Sequence, residues 1–385
     1  MYDVAALRQS EFPITQEFVY FHNAGVAPLP TRTKNKMQWA TEQMSRRSGN
    51  FFNDERAEMT AAFQKETAVL INAASGNEIV PTASTSTGLN AIAQAIDWQA
   101  GDNILLCDIE FPANVYPWLS LARDGVAVKW VTAVNGGLTL EALKEQVDEN
   151  TRLVAASAIQ FFTGHCTDLA AIGAFCHENN ILFVVDAIQA IGHMPIDVQA
   201  MHIDALVTGG QKSLLASPGC GFMYVHDAWA ETLHPRIISG SSTENFLHWL
   251  NYDLTLAAGA QRFRSGTANS VGMYAVLESV RLLQELGVAN IGAHTRGLTA
   301  VASQTLTDLG YEVITPRSDY GPITTFRTGL DVEETDKLVS YLRQHNITVV
   351  KHLDREGTPH IRASFHCYNT EEEIGRFGAV VERLA

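Results

Sequence analysis

Short apolar runs alternate with amphipathic stretches along the first two thirds of the chain. "NILLCD" is followed by "ANVYPWLSLARDG", "VAVKWVT" by "LEALKEQVDEN", and "RLVAASA" by "DLAAIGAFCHENN"; "ILFVVD", "DALVTGG" and "GFMYV" complete the series. The runs are continuous and β-branched rather than alternating, the pattern of strands buried on both faces, and helices between them imply parallel pairing. Residues 15–260 are therefore expected to form a large, mostly parallel, doubly wound α/β domain. Past "RFRSGTANS" the period changes. Two long helical stretches, "MYAVLESVRLLQELG" and "ANIGAHTRGLTAVASQTLTDLG", precede the strand-like segments "YEVITP", "PITTFRTG", "ITVVKH" and "HIRASF". These predict a smaller α+β domain over residues 261–385, joined by residues 1–14.

Length and charge narrow the function. At 385 residues the chain exceeds the size at which one core usually stops growing, which agrees with two domains. A formal charge of −15, with no clustering of Lys and Arg, argues against a nucleic-acid partner. The start "MYDVAALRQSEF" lacks the basic flank and apolar core of a signal peptide, and no run reaches membrane-spanning length, so a cytoplasmic protein without a membrane partner is expected. The five cysteines (Cys107, Cys166, Cys176, Cys220, Cys367) are widely spaced and contain no C-x-x-C pair. They read as small buried hydrophobes, and no metal site is expected.

In an open parallel sheet, ligands sit beyond the carboxyl ends of the strands. Asp186 ends "ILFVVD" with Gln189 three residues on, Gln160 follows "RLVAASAI", Phe111 follows "NILLCDIE", and Lys212 leaves "ALVTGG" through a Gly-Gly turn. The hydroxyl run Thr85, Ser86, Thr87 opens the helical pattern of "TSTGLNAIA", where free N–H groups and the helix dipole suit a phosphate. No nucleotide-binding glycine motif is present. A buried amine, an acid and a phosphate cradle suggest an aldehyde cofactor bearing a phosphate, and pyridoxal phosphate matches each part. Lys212 would form the Schiff base, and Asp186 would pair with the pyridine nitrogen so that the ring acts as an electron sink.

The segment "ILFVVDAIQAIGHMPIDVQAMHIDALVTGGQKSLLASPGCGFMYV" resembles the central signature of the class V aminotransferase family, nearest in motifs to its cysteine desulfurase and selenocysteine lyase branch. "YFHNAGVAPLP", "EFPANVYPW", "RFRSGTANS" and "IRASFHCYNTEEEI" agree, so the resemblance spans nearly the whole chain. It implies fold type I, a homodimer with a shared active site, and an amino acid, with a 2-oxo acid where amines are exchanged, as substrates. It places Gln189 and Gln160 near the ring hydroxyl and the substrate, Phe111 on the ring face, and Ser86, Thr87 and Gln211 at the phosphate. Gly266 and Thr267 would reach the partner's phosphate, Asn23, Ala24 and Gly25 would face the substrate, and Arg362 would clamp the α-carboxylate.

The chain departs from the desulfurase pattern in three places. Phe111 stands where those enzymes have a histidine, and Gln211 precedes the lysine as in alanine/serine–glyoxylate aminotransferases. The loop before the arginine strand, "LDREGTP", lacks the persulfide-forming cysteine, and Cys367 lies beyond Arg362. Transamination is therefore the expected reaction, with desulfurase-like C–S cleavage or epimerisation as alternatives that share Cα deprotonation by Lys212. A non-catalytic module would have had no reason to keep both Lys212 and Asp186.

Overall fold

The computed structural model describes residues 2–383. Its centre is a seven-stranded sheet in the order Ile79–Thr82, Gly221–Val225, Ala205–Gly209, Leu182–Asp186, Thr151–Ser157, Asn103–Cys107, Ala127–Val131. The last five of these pair in parallel. Gly221–Val225 runs antiparallel to both of its neighbours, so the apolar run "GFMYV" is the exception in a mostly parallel sheet.

The continuous apolar runs have the predicted cause. In Leu182–Asp186, Val184 packs into one core with Ile104, Ala155 and Val207, while Phe183 and Val185 pack into another with Val154, Leu206 and Phe222. Successive side chains point to opposite faces, and both faces are covered. One cover is the 41-residue helix Thr31–Ile71, kinked at Arg47, which lies along the helix Ser270–Leu286. Trp39 meets Tyr274 edge-on with centroids 5.4 Å apart, and the hydroxyls of Thr33 and Ser279 are 3.0 Å apart in the buried seam. Met273, Val276, Val280 and Leu283 thereby join the core of the large sheet, although they follow "RFRSGTANS" in sequence.

A third core lies under a four-stranded antiparallel sheet in the order Val350–Leu353, Pro359–Ser364, Ile323–Arg327, Glu312–Val313. The helices Val288–Asp308, Val332–Gln344 and Glu371–Glu382 cover it, contributing Leu298, Leu342 and Phe377. The run "ITVVKH" is divided: Ile347–Thr348 pairs in parallel with Val19–Tyr20, and Val350–Leu353 enters the four-stranded sheet. Among the described residues no helix is long and apolar enough to cross a membrane.

Candidate active site

Three strand ends lie side by side at the carboxyl edge of the large sheet, with Ser157 opposite Asp186 and Asp186 opposite Val207. Asp186 is buried, and one carboxylate oxygen accepts the Ile188 N–H at 3.0 Å. Burial pushes its carboxyl up to about 6, against the opposing pull of that N–H and of the Lys212 ammonium.

Lys212 follows the next strand. Its loop is tightly drawn, because a Cβ on Gly210 would come within 2.5 Å of the Cys220 carbonyl oxygen. The Ser213 hydroxyl donates to the Ile188 carbonyl at 2.7 Å, and Leu215 turns the chain in the left-handed region at φ 57°. The amine is buried, 5.0 Å from the centroid of Phe111. Burial lowers it to about 8; Asp186 opposes the shift and the Arg362 cation adds to it. Only the neutral amine attacks an aldehyde. Reconstitution of cofactor-free protein with pyridoxal phosphate, followed by absorbance, is therefore expected to accelerate with pH and level off just above 8. A rate still climbing toward the ordinary lysine value of 10.5 would show that the amine is not desolvated.

Phe111 is carried past the strand Asn103–Cys107 by a turn that Glu110 anchors. Glu110 accepts the Ser157 N–H at 2.7 Å and the Ser157 hydroxyl at 2.5 Å, and burial pushes its carboxyl up to about 7. The Phe111 ring packs edge-on against Phe161 at 5.0 Å. Gln160 is buried behind it, its side-chain oxygen accepting the Phe161 N–H at 2.8 Å. Gln189 donates to the Ala24 carbonyl at 2.9 Å, which brings the "HNAG" segment to the same edge. Asn23 is committed within the fold, donating to the Ser364 carbonyl at 2.8 Å and accepting the Tyr368 hydroxyl at 2.7 Å. Gly25 lies flat against His22, where a Cβ would be 2.2 Å from the ring. The Gln211 carbonyl accepts the Ala27 N–H at 2.8 Å.

The hydroxyl cluster divides its labour. The residue that caps the helix Thr85–Ala95 is Ser84, whose side chain accepts the Thr87 N–H at 3.1 Å. Thr85 is buried and its hydroxyl finds no partner among the described residues, whereas Ser86 and Thr87 line a cavity of about 650 Å³. Gly266, Thr267, Arg56 and Arg264 of the same chain line it too. Lys212 and Asp186 lie outside this lining.

Arg362 comes from the small sheet. It sits in Pro359–Ser364, 3% exposed, and Nη1 donates to the Phe161 carbonyl at 2.8 Å while Nε has no partner among the described residues. Burial lowers it to about 10, so it remains a cation at neutral pH. Beside it stand groups not picked out from the sequence, His22, His352, His360 and Phe161, while Glu110, also not picked out, lies by Ser157 and Asp186. The hairpin leading into this strand is short and closed. Asp354 accepts the Thr358 N–H at 2.7 Å, Gly357 turns at φ 81°, and Arg355 reaches across to Asp108 of the large domain at 3.1 Å.

The sequence profile of aminotransferase class V matches residues 19–377. A probable cysteine desulfurase from Methanothermobacter thermautotrophicus is 29% identical, with 97% of this chain and 96% of the relative aligned. The crystal structure of the cysteine desulfurase CsdA from Escherichia coli superposes with a TM-score of 0.88 at 24% identity, covering 100% of this chain and 98% of that one. The cystine C–S lyase C-DES, solved in complex with its reaction product cysteine persulfide, gives a TM-score of 0.87 at 22% identity, over 97% of this chain and 99% of that one. The chain therefore belongs to the class V aminotransferase family of pyridoxal-phosphate-dependent enzymes and has the fold-type-I architecture.

Proposed function

We propose that this protein removes the Cα proton of a small amino acid and expels a sulfur leaving group from Cβ, without forming a persulfide on itself. The residues fit the cofactor chemically. A buried amine lowered to about 8 suits imine formation with the aldehyde, and Asp186 beside it suits the ring nitrogen. Phe111 offers a ring face, and Ser86 and Thr87 offer donors to the phosphate, to which the family resemblance adds Gln211; the Thr85 hydroxyl, without a partner among the described residues, lies beside them. Gly266 and Thr267 line the same cavity from this chain; the family resemblance assigns them to the partner's cofactor in a homodimer. The bound cofactor would supply an electron sink conjugated to the substrate Cα.

The chain's own groups have separate tasks. Lys212 takes the Cα proton in its neutral form, which burial makes accessible near neutral pH. Arg362 receives the α-carboxylate through donors that include Nε, which has no partner among the described residues. The C–S bond then breaks with its electron pair leaving on sulfur, and hydrolysis of the remaining three-carbon fragment gives pyruvate and ammonia.

The hairpin Asp354–Thr358 carries the absence of a protein persulfide, and the likeness to sulfur-cleaving relatives carries the choice of elimination over amine exchange. The hairpin holds no sulfur, closes on itself, and is tied to Asp108, so it cannot deliver a thiolate and withdraw it. The five thiols are no substitute, because burial raises all of them, four to about 12. The likeness to cysteine desulfurases and a cystine C–S lyase supports sulfur as the leaving atom. Transamination is the second reading, favoured by Phe111, which offers no proton to a departing group. Product analysis with cysteine and cystine as sole substrates separates the two. Sustained release of pyruvate and ammonia, with no persulfide mass on the protein, is expected; arrest after one half-turnover until a 2-oxo acid is added would establish transamination instead.

A further inference from the structure

One face of the small sheet carries more hydrogen-bonding capacity than a single carboxylate uses. His352 lies directly opposite His360, and Val350 opposite Arg362, in antiparallel register. Side chains two apart share a face, as do cross-strand partners, so His352, His360, Arg362 and Ser364 form one row. His22 extends it through its parallel bridge to Ser364. The row abuts the large domain at Phe161 and Phe162: His352 meets these rings at 5.9 and 6.2 Å, and the Thr325 hydroxyl, on the strand pairing with Arg362, donates to the Phe162 carbonyl at 2.5 Å.

Within this row the polar atoms are unevenly used. His360 is engaged, with Nδ1 3.0 Å from the Thr358 carbonyl. His22 Nδ1, His352 Nε2 and Arg362 Nε are buried and have no partner among the described residues. A buried donor or acceptor left unmade is costly, so a cluster of three on one face marks a place for a ligand. The charged neighbours acting on the two rings are cations and other imidazoles: Arg362 and Lys212 on His22, and Arg362, His22, Lys212 and His360 on His352. Burial and those cations hold both rings neutral, down to about 4. An arriving anion would relieve this surplus of positive charge, and a neutral side chain would not.

We infer that His22 and His352, next to Arg362, form a second anion subsite, so that the preferred substrates are amino acids whose side chain ends in an anionic group. The inference rests on Arg362 as the α-carboxylate clamp. A substrate bound this way is held at both ends, with its Cα between the arginine and the amine of Lys212.

The test uses ligands that cannot react because they lack an amino group. Isothermal titration of the holoenzyme with succinate, glutarate and adipate is compared with butyrate, valerate and hexanoate. At least one dicarboxylate is expected to bind tenfold or more tighter than its monocarboxylate match, about the value of one charge-assisted hydrogen bond. His22→Phe and His352→Phe, each checked for retention of the visible cofactor band, should collapse that affinity onto the monocarboxylate value, and His352→Gln should restore part of it. If no dicarboxylate is preferred in the wild type, or the preference survives both phenylalanine variants, the subsite is disproved, even if the wild-type preference is the only measurement the variants permit. Arg362→Lys keeps the two readings apart. Weakening of the mono- and dicarboxylates alike by about 10- to 100-fold in that variant upholds the clamp whether or not dicarboxylates are preferred, and unchanged binding overturns the clamp together with the subsite.

Discussion

Lys212→Ala should abolish turnover, by at least about 10³-fold, and yield protein without the visible band of a covalently bound cofactor. Lys212 is the one lysine placed over the Phe111 ring, with Asp186 and Arg362 acting on its charge. The substitution removes a side chain that is only 9% exposed, and the loop around it is held independently by Ser213, Leu215 and Gly210. The variant should therefore fold. Pyridoxal phosphate is expected still to bind, non-covalently, because the remaining contacts do not involve the amine. A borohydride-reducible linkage retained at the wild-type level would mean that another amine closes the imine.

Arg362→Lys has the second-largest expected effect, a rise of about 10- to 100-fold in KM for the amino acid with cofactor occupancy little changed. Lysine keeps the charge but cannot hold a carboxylate in a planar fork. The existing bond from Arg362 Nη1 to the Phe161 carbonyl leaves Nε for a ligand, so the guanidinium serves the fold and a ligand through different nitrogens. Steady-state kinetics together with cofactor content decide the matter: parallel loss of both would make Arg362 a brace for the Phe161 loop rather than a substrate clamp.

The parts of the site that could be read in the sequence share a physical reason. Asp186, Phe111 and Lys212 each follow a continuous apolar run, and in a sheet buried on both faces such a run must end where the chain emerges. Strand direction was not legible in the same way. "GFMYV" is as apolar as its parallel neighbours, and burial on two faces leaves no mark of which way a strand runs. The hydroxyl run Thr85, Ser86, Thr87 reads as a phosphate cradle at a helix start, yet Ser84, one residue earlier, takes the capping role and Thr85 turns inward. The histidines were hidden for a different reason. His22 and His352 are separated by most of the chain, and they share a face with Arg362 only through the register of the Asp354–Thr358 hairpin and the bridge at Ser364. Nothing local in "YFHNAG" or "VVKH" encodes that register. The missing cysteine in "LDREGTP" excludes a persulfide relay on that loop, but it does not choose between elimination and amine exchange, since both begin with the same proton.

The antiparallel strand also bears on how the protein assembles itself. The parallel pairs of the large sheet each require a crossover before two strands can meet, and their closure is entropically costly and slow. Ala205–Gly209 and Gly221–Val225 meet through the single loop that carries Lys212. That pairing closes over a short stretch of chain, with Gly209 facing Gly221, so it can form early and without the small domain. Lys212 is thus held by the most local contact in the sheet, whereas Asp186 and Arg362 reach its neighbourhood through longer-range contacts. In refolding, the loop that carries Lys212 can therefore be set before the small domain brings Arg362 to it.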